Sequence, residues 1–243
     1  MQFTYKAYLT LVSRLRFHGY VITDYHCWHK EQRCVILRHD IDYDINQALK
    51  MAEIEAENGI KSTYFVMITS DFYNIHSMDT RIKIKRIVEL GHEIGVHYDE
   101  LAYPEAVGKI DAIVKRIEYE KELLQGDIGT DITVVSMHRP SKGILEGDIT
   151  IPGMINSYGK TFFYDFKYVS DSRRKWRESV EKYIETEEYE RIHILTHPFW
   201  YFDIERDIHK TLFDFIERSK LERWDSLSMN FRDLSSIISK DEI

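Results

Sequence analysis

The 243-residue chain sets 33 Lys and Arg against 41 Asp and Glu, a formal charge of −8 that argues against a nucleic-acid or anionic-lipid partner. With 43% apolar and 13% aromatic residues and only 11 Gly and 4 Pro, disorder is excluded and a sizeable core is available. Cys27 and Cys34 are too few for a disulfide scaffold, no stretch of about 18 uncharged apolar residues suggests membrane insertion, and Met1 to Arg16 lacks the apolar block of a secretory signal, so a cytoplasmic protein is expected.

Tyr5, Tyr8, Leu9, Leu11, Val12 and Leu15 recur at helical spacing and predict a flanking helix over about 4–18. Cys34-Val35-Ile36-Leu37 reads as a buried strand that ends in Arg38-His39-Asp40-Ile41-Asp42. A helix over about 44–58 closes at Gly59, and Ser62 to Met67 forms the next strand. A helix over about 80–90, with its basic residues on a solvated face, leads through Gly91 to a strand over Glu93 to His97 and a helix over about 104–124. Further strands are expected at Ile132–Met137, near Thr161–Tyr164 and at Arg191–Leu195, with helix around Trp176–Glu185 and from about Ile204 onward. This alternation implies a parallel sheet with right-handed crossovers in an α/β domain, and a single domain over 1–243 is within the size of one barrel.

Polar residues gather after the apolar runs: Asp40 and Asp42, His97, His138 and Arg139, then His197. In a barrel of parallel strands these ends converge on one rim, where chemistry is sited. A spacing of two on a strand points Asp40 and Asp42 to one face, where their repulsion is relieved if one binds a divalent cation and the other serves as general base, with Arg139 available to hold it ionised. Helix capping is the competing role for the pair, with Asp44 a rival for it. His97 is the preferred nitrogen ligand, whereas His92, before its strand, is assigned to backbone hydrogen bonding. Tyr98, Tyr168, Trp176, Phe199 and Trp200 are candidates for a platform under a sugar ring, Trp200 first.

Several segments carry a resemblance. Leu37-Arg38-His39-Asp40-Ile41-Asp42, Lys61-Ser62-Thr63-Tyr64-Phe65-Val66, Gly91-His92-Glu93-Ile94-Gly95-Val96-His97, His138-Arg139-Pro140-Ser141-Lys142-Gly143 and Leu195-Thr196-His197-Pro198 are similar to successive motifs of the NodB-like polysaccharide deacetylases, carbohydrate esterase family four. Asp171, ahead of Trp176, resembles a further one, and the first motif matches the branch with a spaced pair of acids. The resemblance implies a single-domain distorted (β/α) barrel of about seven strands. It also implies Asp40 as base, Asp42 and His97 as metal ligands, Arg139 as brace of Asp40 and His197 as general acid. The family places a second metal histidine four residues after the first, where this chain has Leu101, so the third ligand is expected to be His138, with Glu100 or Asp99 as alternatives.

The implied reaction is metal-dependent hydrolysis, with zinc as the expected cofactor, that removes an acyl group from an N-acylated sugar or glycan precursor. Asp171 would keep His197 protonated. The alternatives are a metal-free hydrolase of a small amide and a barrel that binds glycan without catalysis. The oligomeric state is not legible.

Overall fold

All 243 residues are described by a computed structural model. Helix α1 (Tyr5–Phe17) starts at Thr4, whose hydroxyl accepts from the Ala7 N–H, and buries the stripe Tyr5, Tyr8, Leu11, Val12 and Leu15. Then come β1 (Val21–Thr23), β2 (Cys34–Ile41), α2 (Ile45–Glu57), β3 (Thr63–Val66), α3 (Met78–Glu89), β4 (Glu93–Asp99), α4 (Ile110–Ile128) and β5 (Val134–His138). Next are α5 (Lys142–Gly147), β6 (Ile155–Asn156), β7 (Lys167–Ser170), α6 (Val180–Thr186) and β8 (Arg191–Thr196).

Every ladder is parallel, in the order β6-β5-β4-β3-β2-β8-β7, with β1 beside the first half of β2. The sheet is strongly curled. Three strand spacings separate β2 from β5, roughly 14 Å in a flat sheet, yet the Arg38 guanidinium of β2 donates directly to the Ser136 hydroxyl of β5.

Side-chain alternation divides the sheet into two faces. Ile41, Tyr64, Val66, Ile94, Val96, Tyr98, Val135 and Met137 point outward into one core under the helices, while Cys34, Ile36, Phe65 and Val134 fill the curl with Tyr25, Phe162 and Phe166. The inner face is tight enough to require Gly95, because a Cβ there would lie 2.5 Å from the Phe65 ring and 2.7 Å from Val134. On the outer face the fully buried Glu55 carboxylate accepts from Tyr8, Ser62 (2.5 Å), Tyr64 (2.7 Å) and His39 (3.0 Å), tying α1, α2, β2 and β3 together.

Three expected elements differ, the first being the helix expected around Trp176–Glu185, which begins only at Val180 behind the Ser179 cap. The helix expected from about 104 begins at Ile110, because Gly108 takes φ +71° and donates its N–H to buried Glu100 at 3.1 Å, holding the preceding residues in turns. Thr161–Asp165 is a π-helical turn rather than a strand: Phe162 and Phe166 lie on one face of it and bury together. The strand itself is displaced to Lys167–Ser170.

Residues Met1–Asp203 form this compact unit, and Ile204–Ile243 form a second. The second is helical, with α7 (Ile208–Ser228) capped by Asp207 and carrying a Lys210–Asp214 pair at 2.9 Å, then α8 (Leu234–Ile237). No helix of the chain is long and apolar enough to cross a membrane.

Candidate active site and metal centre

The inner face of β2 runs Arg38, Asp40, Asp42 toward the C-terminal rim. Asp44, not either of these acids, caps α2, accepting from the Asn46 N–H at 2.9 Å, so the pair is free of that duty. Arg38 is wholly buried and must be paired. Its Nε and Nη2 donate to the two oxygens of Asp40 at 2.8 and 2.7 Å, Nη1 donates to Ser157 at 3.2 Å, and Nη2 also reaches Ser136. The guanidinium lies over the rings of Phe65 (5.1 Å) and Tyr158 (4.9 Å). Burial alone would raise the Asp40 carboxyl, but Arg38 and the neighbouring histidines hold it below its ordinary value.

This corrects the expectation for Arg139. That side chain is 61% exposed at the rim, where Nη2 donates to Asp99 at 2.6 Å. The inward position is already filled by Arg38, which sequence reasoning passes over although it shares the strand face of Asp40.

Register brings the next group together, since β4 and β5 pair His97 with Ser136 and Asp99 with His138. His97 Nε2 lies 3.1 Å from Asp42 Oδ1 and 3.2 Å from His138 Nδ1, and His138 Nδ1 lies 3.6 Å from the same oxygen. Ligands arranged tetrahedrally at 2.0–2.1 Å from a small cation stand about 3.3 Å apart, and these three edges match. Asp42 Oδ1 is buried without a well-directed hydrogen bond, and two imidazole nitrogens face each other. A divalent cation held between the three donors would resolve both features. Burial and the facing His97 ring lower the His138 pKa, which favours the neutral form that a metal requires. His97 Nδ1 lies 3.0 Å from the Ser136 hydroxyl, which orients the ring so that Nε2 faces the other two donors.

Leu101 is 59% exposed on a 3₁₀ turn over Glu100–Ala102. The alternative ligands are engaged elsewhere: Asp99 holds Arg139 and caps that turn, and buried Glu100 accepts from the N–H groups of Gly108 and Ser141.

His197 follows β8 beside the acids of β2. Its Nδ1 donates to Asp171 at 2.6 Å, and its Nε2 lies 3.7 Å from Asp42 Oδ2. Asp171 is fully buried and accepts also from the His197 N–H (3.1 Å) and the Tyr201 hydroxyl (3.0 Å). Burial opposes the charged imidazole, but Asp171, with Asp42 and Asp40 behind it, raises the pKa to about 9.

The aromatic candidates separate. Tyr98 points away from the site, because the alternation that turns His97 inward turns Tyr98 into the helical layer, stacked on Tyr103 at 5.8 Å. Tyr168 lies inside the curl, stacked on Phe163 and near His193. Trp176 is half-buried on the segment between β7 and α6. Trp200 is buried against Phe199 (4.7 Å) and Tyr43 (6.3 Å). Tyr43, next to Asp42, and Phe72, packed on it at 5.2 Å, extend that wall and carry no motif that would single them out.

No protein-family model matches the sequence. No curated protein matches it either. Solved structures do: a Streptococcus mutans CE4 esterase is 17% identical, with a TM-score of 0.50 over 82% of this chain and 84% of that one. The catalytic domain of a peptidoglycan N-acetylglucosamine deacetylase from Eubacterium rectale is also 17% identical, with a TM-score of 0.47 over 77% and 84%. The curled parallel sheet that carries this polar rim is the fold of the family four carbohydrate esterases (CE4).

Proposed function

We propose that the chain is a metal-dependent hydrolase that removes an acyl group, acetyl being the simplest, from the nitrogen of an amino sugar. One observation carries the reading: a buried Asp-His-His donor triangle lies between an arginine-held carboxylate and an aspartate-held imidazole. Asp42, His97 and His138 would hold the ion, and their mixed oxygen and nitrogen donors suit zinc or a similar first-row metal. Such an ion supplies Lewis acidity toward an acyl oxygen and acidifies water.

The remaining groups divide the proton transfers. Asp40, kept ionised by Arg38, is the base that takes a proton from water. His197 is charged at neutral pH and donates to the departing nitrogen, which leaves poorly as an anion. The register His39 with Thr196 sets base and acid side by side on neighbouring strands. The Tyr43, Phe199 and Trp200 wall supplies an apolar surface for a sugar ring. The CE4 esterase of the same fold agrees with a hydrolytic reading.

Elemental analysis of wild type and His138→Ala, with acetate release from N-acetyl sugars in parallel, tests the proposal. About one ion per chain, lost with His138 together with acetate release, is expected. Metal retained by His138→Ala overturns the ligand set, and metal without release from any N-acyl sugar overturns the reaction.

A further inference from the structure

The exposed guanidinium of Arg139 is not needed by the base, and its setting gives it another task. It directly follows His138, on a backbone at φ +47°, a left-handed conformation that costs a non-glycine residue roughly 1 kcal/mol, and its side chain is 61% exposed. Its charge reaches the His138 imidazole and, on the β2 side of the mouth, the Tyr43 phenol. Only one of its N–H groups is used within the chain, in the 2.6 Å bond to Asp99, which anchors the fork and leaves its other donors free. The nearest unpaired cation along the chain on the acid's side is Arg173, exposed, at φ +59° and two residues past Asp171, hence within about 7 Å of it by Cα.

Resting on the deacylase reading above, we propose that Arg139, assisted by Arg173, binds an oxyanion carried by the amino sugar, a phosphate ester or a carboxylate, and so selects anionic substrates. An anchored guanidinium presents parallel N–H donors to a bidentate oxyanion with little ordering left to do. A neutral sugar hydroxyl would use this fork poorly, and in a chain of net charge −8 an anionic substrate needs local cations to approach the mouth.

The test is calorimetric binding of three probes to the metal-loaded protein: N-acetylglucosamine, N-acetylglucosamine 1-phosphate and N-acetylmuramic acid. Wild type, Arg139→Gln and Arg173→Gln are compared, with acetate release followed on the same samples. At least one anionic probe should bind about tenfold tighter than the neutral sugar, with the larger gap naming phosphate or carboxylate as the source. Arg139→Gln should close most of that gap and Arg173→Gln part of it, and added salt should shrink it in wild type. Equal binding of all three probes, or a gap that survives both substitutions, overturns the inference while binding and turnover of the neutral sugar leave the deacylase reading standing. If no probe binds and none is turned over, both fall.

Discussion

Replacing Arg38 by Met tests the brace without any assumption about substrate. The substitution removes two charge-assisted bonds to Asp40 and the bonds to Ser136 and Ser157 from a site closed to solvent, leaving the carboxylate without its main counter-charge. Breaking a buried pair in this one-sided way costs about 3–5 kcal/mol. At about 2–4 °C per kcal/mol for a chain of this size, Arg38→Met should melt roughly 6–20 °C below wild type. Thermal unfolding in the presence of a chelator is the assay, because it keeps metal affinity out of the comparison. The double variant Arg38→Met, Asp40→Asn should recover a large part of the loss, since no buried charge is then left without a partner. Arg139→Met, which removes a rim-exposed pair, should cost less than about 1 kcal/mol. The reasoning fails if Arg38→Met melts with wild type, if Asp40→Asn only adds to the damage, or if Arg139→Met proves the more destabilising change.

Two further outcomes follow from buried titrating groups. In Asp171→Asn the burial that disfavours a charged His197 loses its main opponent, so the imidazole pKa should fall from about 9 by roughly two pH units, read by NMR titration of its ring protons. Because the wild-type pKa is raised, the pair's stabilisation is complete below about pH 6.5 and disappears as pH rises through 9; the melting gap between wild type and variant should therefore narrow over that window, and a constant gap would count against the pairing. At Glu55, burial is outweighed by His39, His92 and the hydroxyl donors, which bring the pKa down to about 2 from 4.5. That depressed value contributes about 3 kcal/mol, present above pH 4.5 and lost as pH falls toward 2. Glu55→Gln should melt well below wild type at pH 7 and lose this acid dependence, and an equal acid slope in both proteins would refute it.

The legible part of this site is parity along single strands. Alternation on β2 sets Asp40 and Asp42 on one face, and capping by Asp44 leaves both available. The same alternation carries Arg38 to that face and Tyr98 off it, so the strand parity that pairs the two acids assigns these residues as well. The expectation for Arg139 rests on the motif His138-Arg139 alone, and nothing along the chain places that guanidinium near Asp40. Sequence cannot supply the curl, on which the reach of Arg38 to β5 and the convergence of His97 and His138 on Asp42 depend, nor the pairing of β7 with β8 that brings Asp171 to His197.

Ser136 shows why such relations escape a linear reading. A serine on an apolar strand has no motif and no unusual spacing, yet its hydroxyl touches Arg38 on one side and His97 Nδ1 at 3.0 Å on the other. It thereby joins the brace of the base to the orientation of a metal ligand. Two groups with opposite demands, an acceptor-only carboxylate and an imidazole that must present a bare nitrogen, are set by one hydroxyl whose lone pairs can receive both donors. The geometry of the base and that of the cation site are therefore not independent, and a change at Ser136 should disturb both together rather than either alone.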